Sequence, residues 1–371
     1  MSDSTDFEQA ENILCVRLDT IGDVLMTTPA IKALKESKAG RRITLLTSRF
    51  GATVAKLVAE IDEIIVYDAP WMKATARREN SRPEYEMIER LRQGKFDAAV
   101  IFTVYSQNPM PAAFLCYMAD IPLRLAHCHE QVYQMLTHSV QDHEPHQGIR
   151  HEVRRHLDLV ASVGCRPNDE RMSLKAPDGA VEQVEAILEE VGIEQTRPWI
   201  VVHPGATAAS RRYPPEGFAE AGRLLVEEMG LQLVFTGSGD EAELVSRIQN
   251  LMGVPSYSLV DRLDLGEMTA LLSLAPLLLA NNTGPVHMAA ALGTPVVDLY
   301  ALTNPQHTPW AVPNRVLFHD VPCKYCYKSV CPEGHHNCLR LVTPAQIVRA
   351  VRELLEIEPT NETQVITEVI V

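Results

Sequence analysis

The first turn of the chain carries an isolated carboxylate. The apolar run ILCVRL (residues 13–18) leads into Asp19, Thr20, Ile21, Gly22 and Asp23, and the apolar-periodic VLMTTPAIKAL follows. Asp23 therefore falls at a strand's carboxyl end and beside a helix N-terminus, next to a glycine that permits close backbone approach. A carboxylate so placed can take a proton as a general base. It can equally cap the helix and complement its dipole, and spacing alone leaves both readings open. With only one glycine in this turn, the three-glycine dinucleotide fingerprint is missing, which argues against a nicotinamide dehydrogenase.

Three loops in the second half carry a different chemistry. After WIVVH come Pro204, Gly205, Ala206, Thr207, Ala208, Ala209, Ser210, Arg211 and Arg212, small residues with hydroxyls and two guanidinium groups, suited to close approach to a phosphate and its neutralisation. The run 277–280 ends in Asn281, Asn282, Thr283, Gly284, Pro285, Val286 and His287, where a strand gives way to the amide-rich start of a helix. Residues 234–241, VFTGSGDE, end a third strand with two glycines. Taken together, the loops read as a site for a nucleotide diphosphate. No Walker A sequence is present, and no two aspartates are separated by a single residue. Arg211, Arg212 and helix amides, not a metal clamp, would then meet the charge of a departing diphosphate.

Cys323, Cys326, Cys331 and Cys338 crowd together with His335 and His336, the density of a metal site without the spacing of a standard paired knuckle. The spacing favours reduced thiols or a local disulfide, with a structural metal the lesser alternative. Cys15, Cys116, Cys128 and Cys165 are scattered as core thiols, a usage that suits a reducing cytosol.

Short β-rich runs alternating with helical periodicity must position these residues, the pattern of parallel βαβ units. Strands are expected at 12–18, 42–47, 63–67, 96–102 and 122–126, with helices at 29–36, 52–58, 85–93 and 151–163. Residues 106–150, rich in His, Gln and Pro, read as loops and short helices. After a polar, proline-containing linker at 164–179 and a helix at 181–191, a second series has strands at 199–203, 232–236, 256–259, 277–280 and 296–300. Its helices fall at 215–229, 241–252, 266–274 and 284–292, and a last one at 344–355 is capped by Thr343 with Pro344 at its first position. Two doubly wound α/β domains follow, with a ligand at the carboxyl ends of their strands.

Composition agrees: 371 residues with 46% apolar and 22% charged residues suit two globular cores. A net charge of −14 excludes a passive binder of nucleic acid or anionic membrane. The polar start MSDSTDFEQAEN lacks the basic and apolar regions of a signal peptide, and no run is long enough to cross a bilayer.

The motifs VRLDTIGDVLMTTPAIKALK, HPGA with RRYPPEGFAE, FTGSGDE and NNTGPVHMAAALGTPVVDLY, in this order, resemble those of glycosyltransferase family 9, the ADP-heptose:lipopolysaccharide heptosyltransferases, and most closely heptosyltransferase II. The resemblance spans residues 12–352. It implies a GT-B fold, two Rossmann-like domains facing a central cleft: an acceptor-side domain at 1–175, a nucleotide-sugar domain at 176–343, and a helix and tail at 344–371 packing back on the first domain. It implies inverting, metal-independent transfer of heptose from ADP-heptose to the lipopolysaccharide inner core. No cofactor is required, and the protein would be cytoplasmic, with peripheral contact at the inner membrane.

By the same resemblance Asp23 is the catalytic base and Gly22 lies on the acceptor side. Arg211, Thr283, Gly284 and His287 meet the donor's phosphates, Thr207 binds the donor from the same loop as Arg211, Glu241 meets its ribose and Leu263 its adenine. Arg211 stands where relatives commonly have Lys. Asn282 stands where many have Asp, so an amide replaces a carboxylate contact to the donor sugar. The alternatives are a relative with another nucleotide sugar or acceptor (a protein, a natural product, another surface glycan), or a non-catalytic nucleotide-sugar-binding protein.

Overall fold

The computed structural model describes residues 5–73, 75–356 and 369–370. It divides into two units, Met1–Ser173 and Leu174–Val371. The first unit opens with the short helix α1 (Thr5–Gln9). The elements β1 (Asn12–Arg17), α2 (Ile21–Glu36), β2 (Arg42–Thr47), α3 (Arg49–Ala55), β3 (Glu63–Val66), α4 (Arg82–Gln93), β4 (Ala98–Ile101), α5 (Met110–Met118), β5 (Leu123–Cys128), β6 (His138–Gln141) and α6 (Glu152–Ala161) follow. Its six strands are all parallel, in the order β3-β2-β1-β4-β5-β6.

The second unit comprises α7 (Ala180–Glu190), β7 (Trp199–His203), α8 (Pro215–Met229), β8 (Gln232–Phe235), α9 (Ala242–Met252), β9 (Tyr257–Ser258), α10 (Leu265–Leu274), β10 (Leu278–Asn281), α11 (Gly284–Leu292), β11 (Val296–Leu299), β12 (Asn314–Leu317), α12 (Asn337–Arg340), α13 (Pro344–Leu355) and β13 (Val369–Ile370). Its strands are also parallel, ordered β13-β12-β11-β10-β7-β8-β9. Both units thus have the doubly wound order expected from the alternation of elements, with the reversal of strand order between β1 and β4 in one and between β7 and β10 in the other. Ligands of such sheets bind outside the carboxyl ends of the strands at that reversal.

Strands covered on both faces read as continuous apolar runs, and ILCV, AAVI, WIVV and LLA are buried along their length. Leu14, Leu46, Leu91, Ile101 and Ala126 build one core, and Ile200, Phe218, Leu233, Ile248, Leu279 and Val351 the other. Each such aliphatic side chain contributes about 1.5–3 kcal/mol by leaving water.

Three local differences from expectation have identifiable causes. The helix expected from residue 29 begins at Ile21, with Pro29 in its interior. Proline cannot donate to the Leu25 carbonyl, and the Thr28 hydroxyl does so instead at 2.6 Å. Within 106–150, α5 and β6 are regular elements, and β6 is only four residues long with a half-exposed pattern that carries little apolar signal. The strand β12 was missed because NRVL opens on two buried polar residues: Asn314 donates to the Val312 carbonyl, and Arg315 pairs with Glu353 on α13. The last helix packs on α8, β11 and β12 of the second unit through Ile347, Val348, Val351 and Leu354. The tail at 357–368 and residue 371 lie outside the described residues.

Candidate active site

Asp23 is the third residue of α2 and keeps an 18% exposed side chain at the β1 carboxyl end. Its Oδ2 accepts from the Thr20 N–H at 3.0 Å and the Thr20 hydroxyl at 2.8 Å, so the helix-capping role weighed from sequence is present. Its Oδ1 accepts from Arg17 Nη2 at 3.1 Å. Capping fixes the carboxylate's direction and does not consume its capacity to take a proton. Gly22, beside it, is buried.

Arg17, fully buried at the end of β1, is the centre of this arrangement. It also meets Asp19 through Nε at 3.1 Å and Glu152 through Nη1 at 3.2 Å. Three carboxyl groups around one guanidinium would leave surplus negative charge, and the hydrogen bonds show how it is relieved. Thr27 gives its hydroxyl proton to the Asp23 carbonyl at 2.8 Å, so it can only accept from His156 Nδ1 at 3.2 Å. A neutral His156 then has a lone pair on Nε2, which faces Glu152 Oε1 at 2.9 Å and Arg17 Nη1 at 3.3 Å. Either a protonated Glu152 carboxyl or Arg17 Nη1 can donate to it. Burial favours the first, pushing the Glu152 carboxyl up to about 7 and holding His156 well below the ordinary imidazole range. Asp19, also raised chiefly by burial, accepts from Gln107 Nε2 at 2.6 Å.

The donor-side candidates lie along consecutive strand ends of the second unit, in the order β10, β7, β8, β9. Asn281, buried at the end of β10, joins two of these loops: its Nδ2 donates to the Pro204 carbonyl at 2.7 Å and its Oδ1 accepts from the Tyr213 N–H at 3.1 Å. It thereby clamps both ends of the segment bearing Thr207 and Arg211. Thr207 is exposed, and Arg211 is half-buried in the single 3-10 turn Ala209–Arg211. Arg212 spends its Nε on the Ala206 carbonyl at 2.7 Å, whereas the Arg211 guanidinium has no hydrogen-bond or ion-pair partner among the described residues. The adjacent arginines are therefore not equivalent: Arg211 keeps its whole guanidinium to offer an anion, whereas Arg212 keeps only its two terminal nitrogens.

Thr283 caps α11, its hydroxyl on the Asn281 carbonyl at 3.1 Å, and Gly284 opens the helix with its amide in the unpaired first turn. His287 is buried one turn on, edge-to-face with His307. Glu241 accepts from the Ser238 N–H at 2.9 Å, and its carboxylate lies so close to Gly205 that a Cβ there would stand 1.8 Å from Oε1. A side chain at Gly205 would have to push the Glu241 carboxylate away from its place on the Ser238 N–H. Leu263 is half-buried on the loop before α10. Asn282 is 3% exposed and turned inward, donating from Nδ2 to Asp298 Oδ2 at 2.8 Å and to the His307 carbonyl at 2.9 Å.

Cys323, Cys326, Cys331 and Cys338 line one small pocket with His335, His336 and Ser210, and all four are free thiols. No group of three or more His, Cys, Asp or Glu among the described residues is drawn together to hold a metal ion. The segment is tied to the arginine loop: Ser210 donates its N–H to the Ser329 carbonyl at 3.0 Å and its hydroxyl to the Lys328 carbonyl at 2.8 Å.

Sequence reading did not single out Arg17, Glu152, His156, Asn281 or Asp298. A signal existed for the first and last two, since VRL, LAN and VDL each place a polar residue in a run too apolar to reach water. The roles of Glu152 and His156 depend on α6 crossing α2, which no local pattern announces.

Comparison with known proteins bears on both units. The pattern of glycosyltransferase family 9 (heptosyltransferase) matches residues 85–337. The chain is 24% identical to lipopolysaccharide heptosyltransferase 2 of Escherichia coli K12 over 354 residues, 92% of this chain and 98% of that protein. The crystal structure of a family 9 glycosyltransferase from Veillonella parvula superimposes with a TM-score of 0.75 at 22% identity, covering 93% of this chain and 97% of that one. E. coli ADP-heptose lipopolysaccharide heptosyltransferase II gives 0.70 at 21% identity, covering 93% and 98%. Both resemble this chain in fold, an α/β arrangement of the GT-B type with two Rossmann-like parallel sheets. Since the family pattern covers more than half of its length, the chain belongs to glycosyltransferase family 9 and is a heptosyltransferase-family enzyme.

Proposed function

We propose that the protein transfers heptose from ADP-heptose to the inner core of lipopolysaccharide, with inversion at the anomeric carbon and without a metal at the reacting atoms. The observation that carries this reading is the end-to-end match to a lipopolysaccharide heptosyltransferase across both units. The two strand reversals supply complementary chemistry: a fixed carboxylate on one, and an unengaged guanidinium beside a helix N-terminus on the other.

In this reading Asp23 takes the proton of an acceptor hydroxyl as its oxygen bonds to the anomeric carbon, and the bond from that carbon to the ADP phosphate oxygen breaks. Arg211 and the Gly284 N–H at the start of α11 receive the charge that develops on the departing diphosphate. Arg17 and Thr20 hold the Asp23 carboxylate in one orientation throughout. No helix among the described residues is long and apolar enough to cross a membrane, so contact with an amphipathic acceptor would be peripheral.

Asn282, where many relatives have Asp, favours a second reading in which the donor is another nucleotide sugar. Thermal stabilisation by ADP-heptose, other ADP-sugars and GDP-, UDP- and dTDP-sugars separates the two. ADP-heptose should stabilise most and be consumed only when a core acceptor is added. A larger shift with another sugar, and turnover of it, would replace the donor.

A further inference from the structure

Asn282 faces two acceptors. The His307 carbonyl can only accept, so the Asn282 atom 2.9 Å from it is the amide nitrogen, and the same nitrogen meets Asp298 Oδ2 at 2.8 Å. Both amide hydrogens are thereby spent inward. Oδ1, on the other side of the planar amide, accepts no hydrogen bond among the described residues. A free asparagine offers a ligand both a donor and an acceptor, whereas this one offers only an acceptor.

We propose that Asp298 is a positioning residue for donor-sugar recognition: with the His307 carbonyl it locks Asn282 so that Oδ1 alone is presented to a hydroxyl of the donor sugar. This rests on the nucleotide-sugar reading above. It explains how an asparagine can replace the family's aspartate, because an oriented amide oxygen reproduces the acceptor character of a carboxylate without adding negative charge beside the diphosphate. Asp298 is fully buried, and its Oδ1 has no hydrogen-bond partner among the described residues. Burial pushes its carboxyl up to about 8, opposed by Asn282 and by the nearby Arg211. A carboxyl kept there at that cost is informative, and as an acceptor through Oδ2 it functions whether or not Oδ1 carries a proton.

The test compares affinity for ADP with affinity for the nucleotide sugar, by calorimetry, in Asn282→Ala, Asp298→Ala, Asp298→Asn and the double alanine variant. Asn282→Ala and Asp298→Ala should each lower the ratio of sugar-nucleotide to ADP affinity by roughly 3- to 10-fold, the loss of one hydrogen bond, with ADP affinity unchanged. The double variant should lose no more than either single one. Asp298→Asn keeps an acceptor oxygen facing Asn282 and should hold the wild-type ratio within about twofold. Losses in Asp298→Asn as large as in Asp298→Ala, or an unchanged ratio in folded Asp298→Ala, would overturn the proposal. Should Asp298→Ala not fold, an unchanged ratio in Asn282→Ala would overturn it equally. The ratio is taken with whichever nucleotide sugar the wild-type protein binds, so a wrong donor changes the probe and leaves the test intact. A wild-type protein that binds no nucleotide sugar overturns both readings.

Discussion

The two strand reversals solve opposite problems. Around Asp23 the polar groups are engaged with one another: Arg17 is shared by three carboxyls, His156 lies against Glu152 and Thr27, and Thr27 donates to the Asp23 carbonyl. At the ends of β7 and β10 the site instead leaves capacity unspent, in the Arg211 guanidinium and the Gly284 N–H that opens α11. In the proposed reaction, a carboxylate that acts on a neutral hydroxyl gains from being held in one orientation by its partners. A surface that must take up a diphosphate gains from donors that no internal acceptor has claimed.

The contrast can be broken at several points. Asp23→Asn should lower turnover by roughly 10²- to 10⁴-fold, the contribution of a general base, while the Thr20 and Arg17 contacts keep α2 folded. Near-normal turnover in a folded variant would reduce Asp23 to a helix cap. Arg17→Met should cost about 3–5 kcal/mol of stability, because it leaves buried carboxyls without their cation. Denaturant unfolding measures this, and a loss below about 1 kcal/mol would show that the network is not held by Arg17.

Glu152 supplies a pH signature. Its carboxyl is raised from 4.5 to about 7, so the fold favours the protonated form. The stability this contributes is complete below about 4.5 and is lost as pH rises through about 7. Glu152→Gln keeps a donor toward His156 and an acceptor toward Arg17, so its stability should be flatter across this window and exceed wild type at pH 8. A wild-type profile that rises with pH between 5 and 7, unaltered in the variant, would contradict the protonated assignment. The smallest expected effect is that of chelation: turnover in excess EDTA should match the untreated enzyme, and chemistry restored specifically by magnesium or manganese would place a metal at the diphosphate.

Legibility from sequence followed physical locality. Strands β2 and β7 and helices α8, α11 and α13 were readable to the residue, because each has an uninterrupted period and a clear stop such as Gly230 or Gly293. The start of α2 was not, since Pro29 imitates a helix beginning and only the Thr28 hydroxyl reveals otherwise. Asp23 and Arg211 were legible because each sits at a strand end in a distinctive loop. Their supports were not: Glu152 lies 135 residues from Arg17 and Asp298 lies 16 from Asn282, and both pairings exist only once the sheets have formed. The inward turn of Asn282 also changes what its substitution means. Asn282→Asp would bring a carboxylate against Asp298 and the His307 carbonyl, so stability is tested along with sugar preference.

The division of labour between the two regions is tested most directly by titrating ADP calorimetrically into the wild-type, Asp23→Asn and Arg211→Ala proteins, with adenosine as control. Arg211→Ala should weaken ADP binding by about 1.5–3 kcal/mol, the range for a hydrogen bond to a charged group, and leave adenosine almost unaffected. Asp23→Asn should bind ADP as the wild type does. Equal losses of adenosine and ADP in Arg211→Ala, or a loss of ADP affinity in Asp23→Asn as large as that in Arg211→Ala, would contradict a donor site built on the second unit alone.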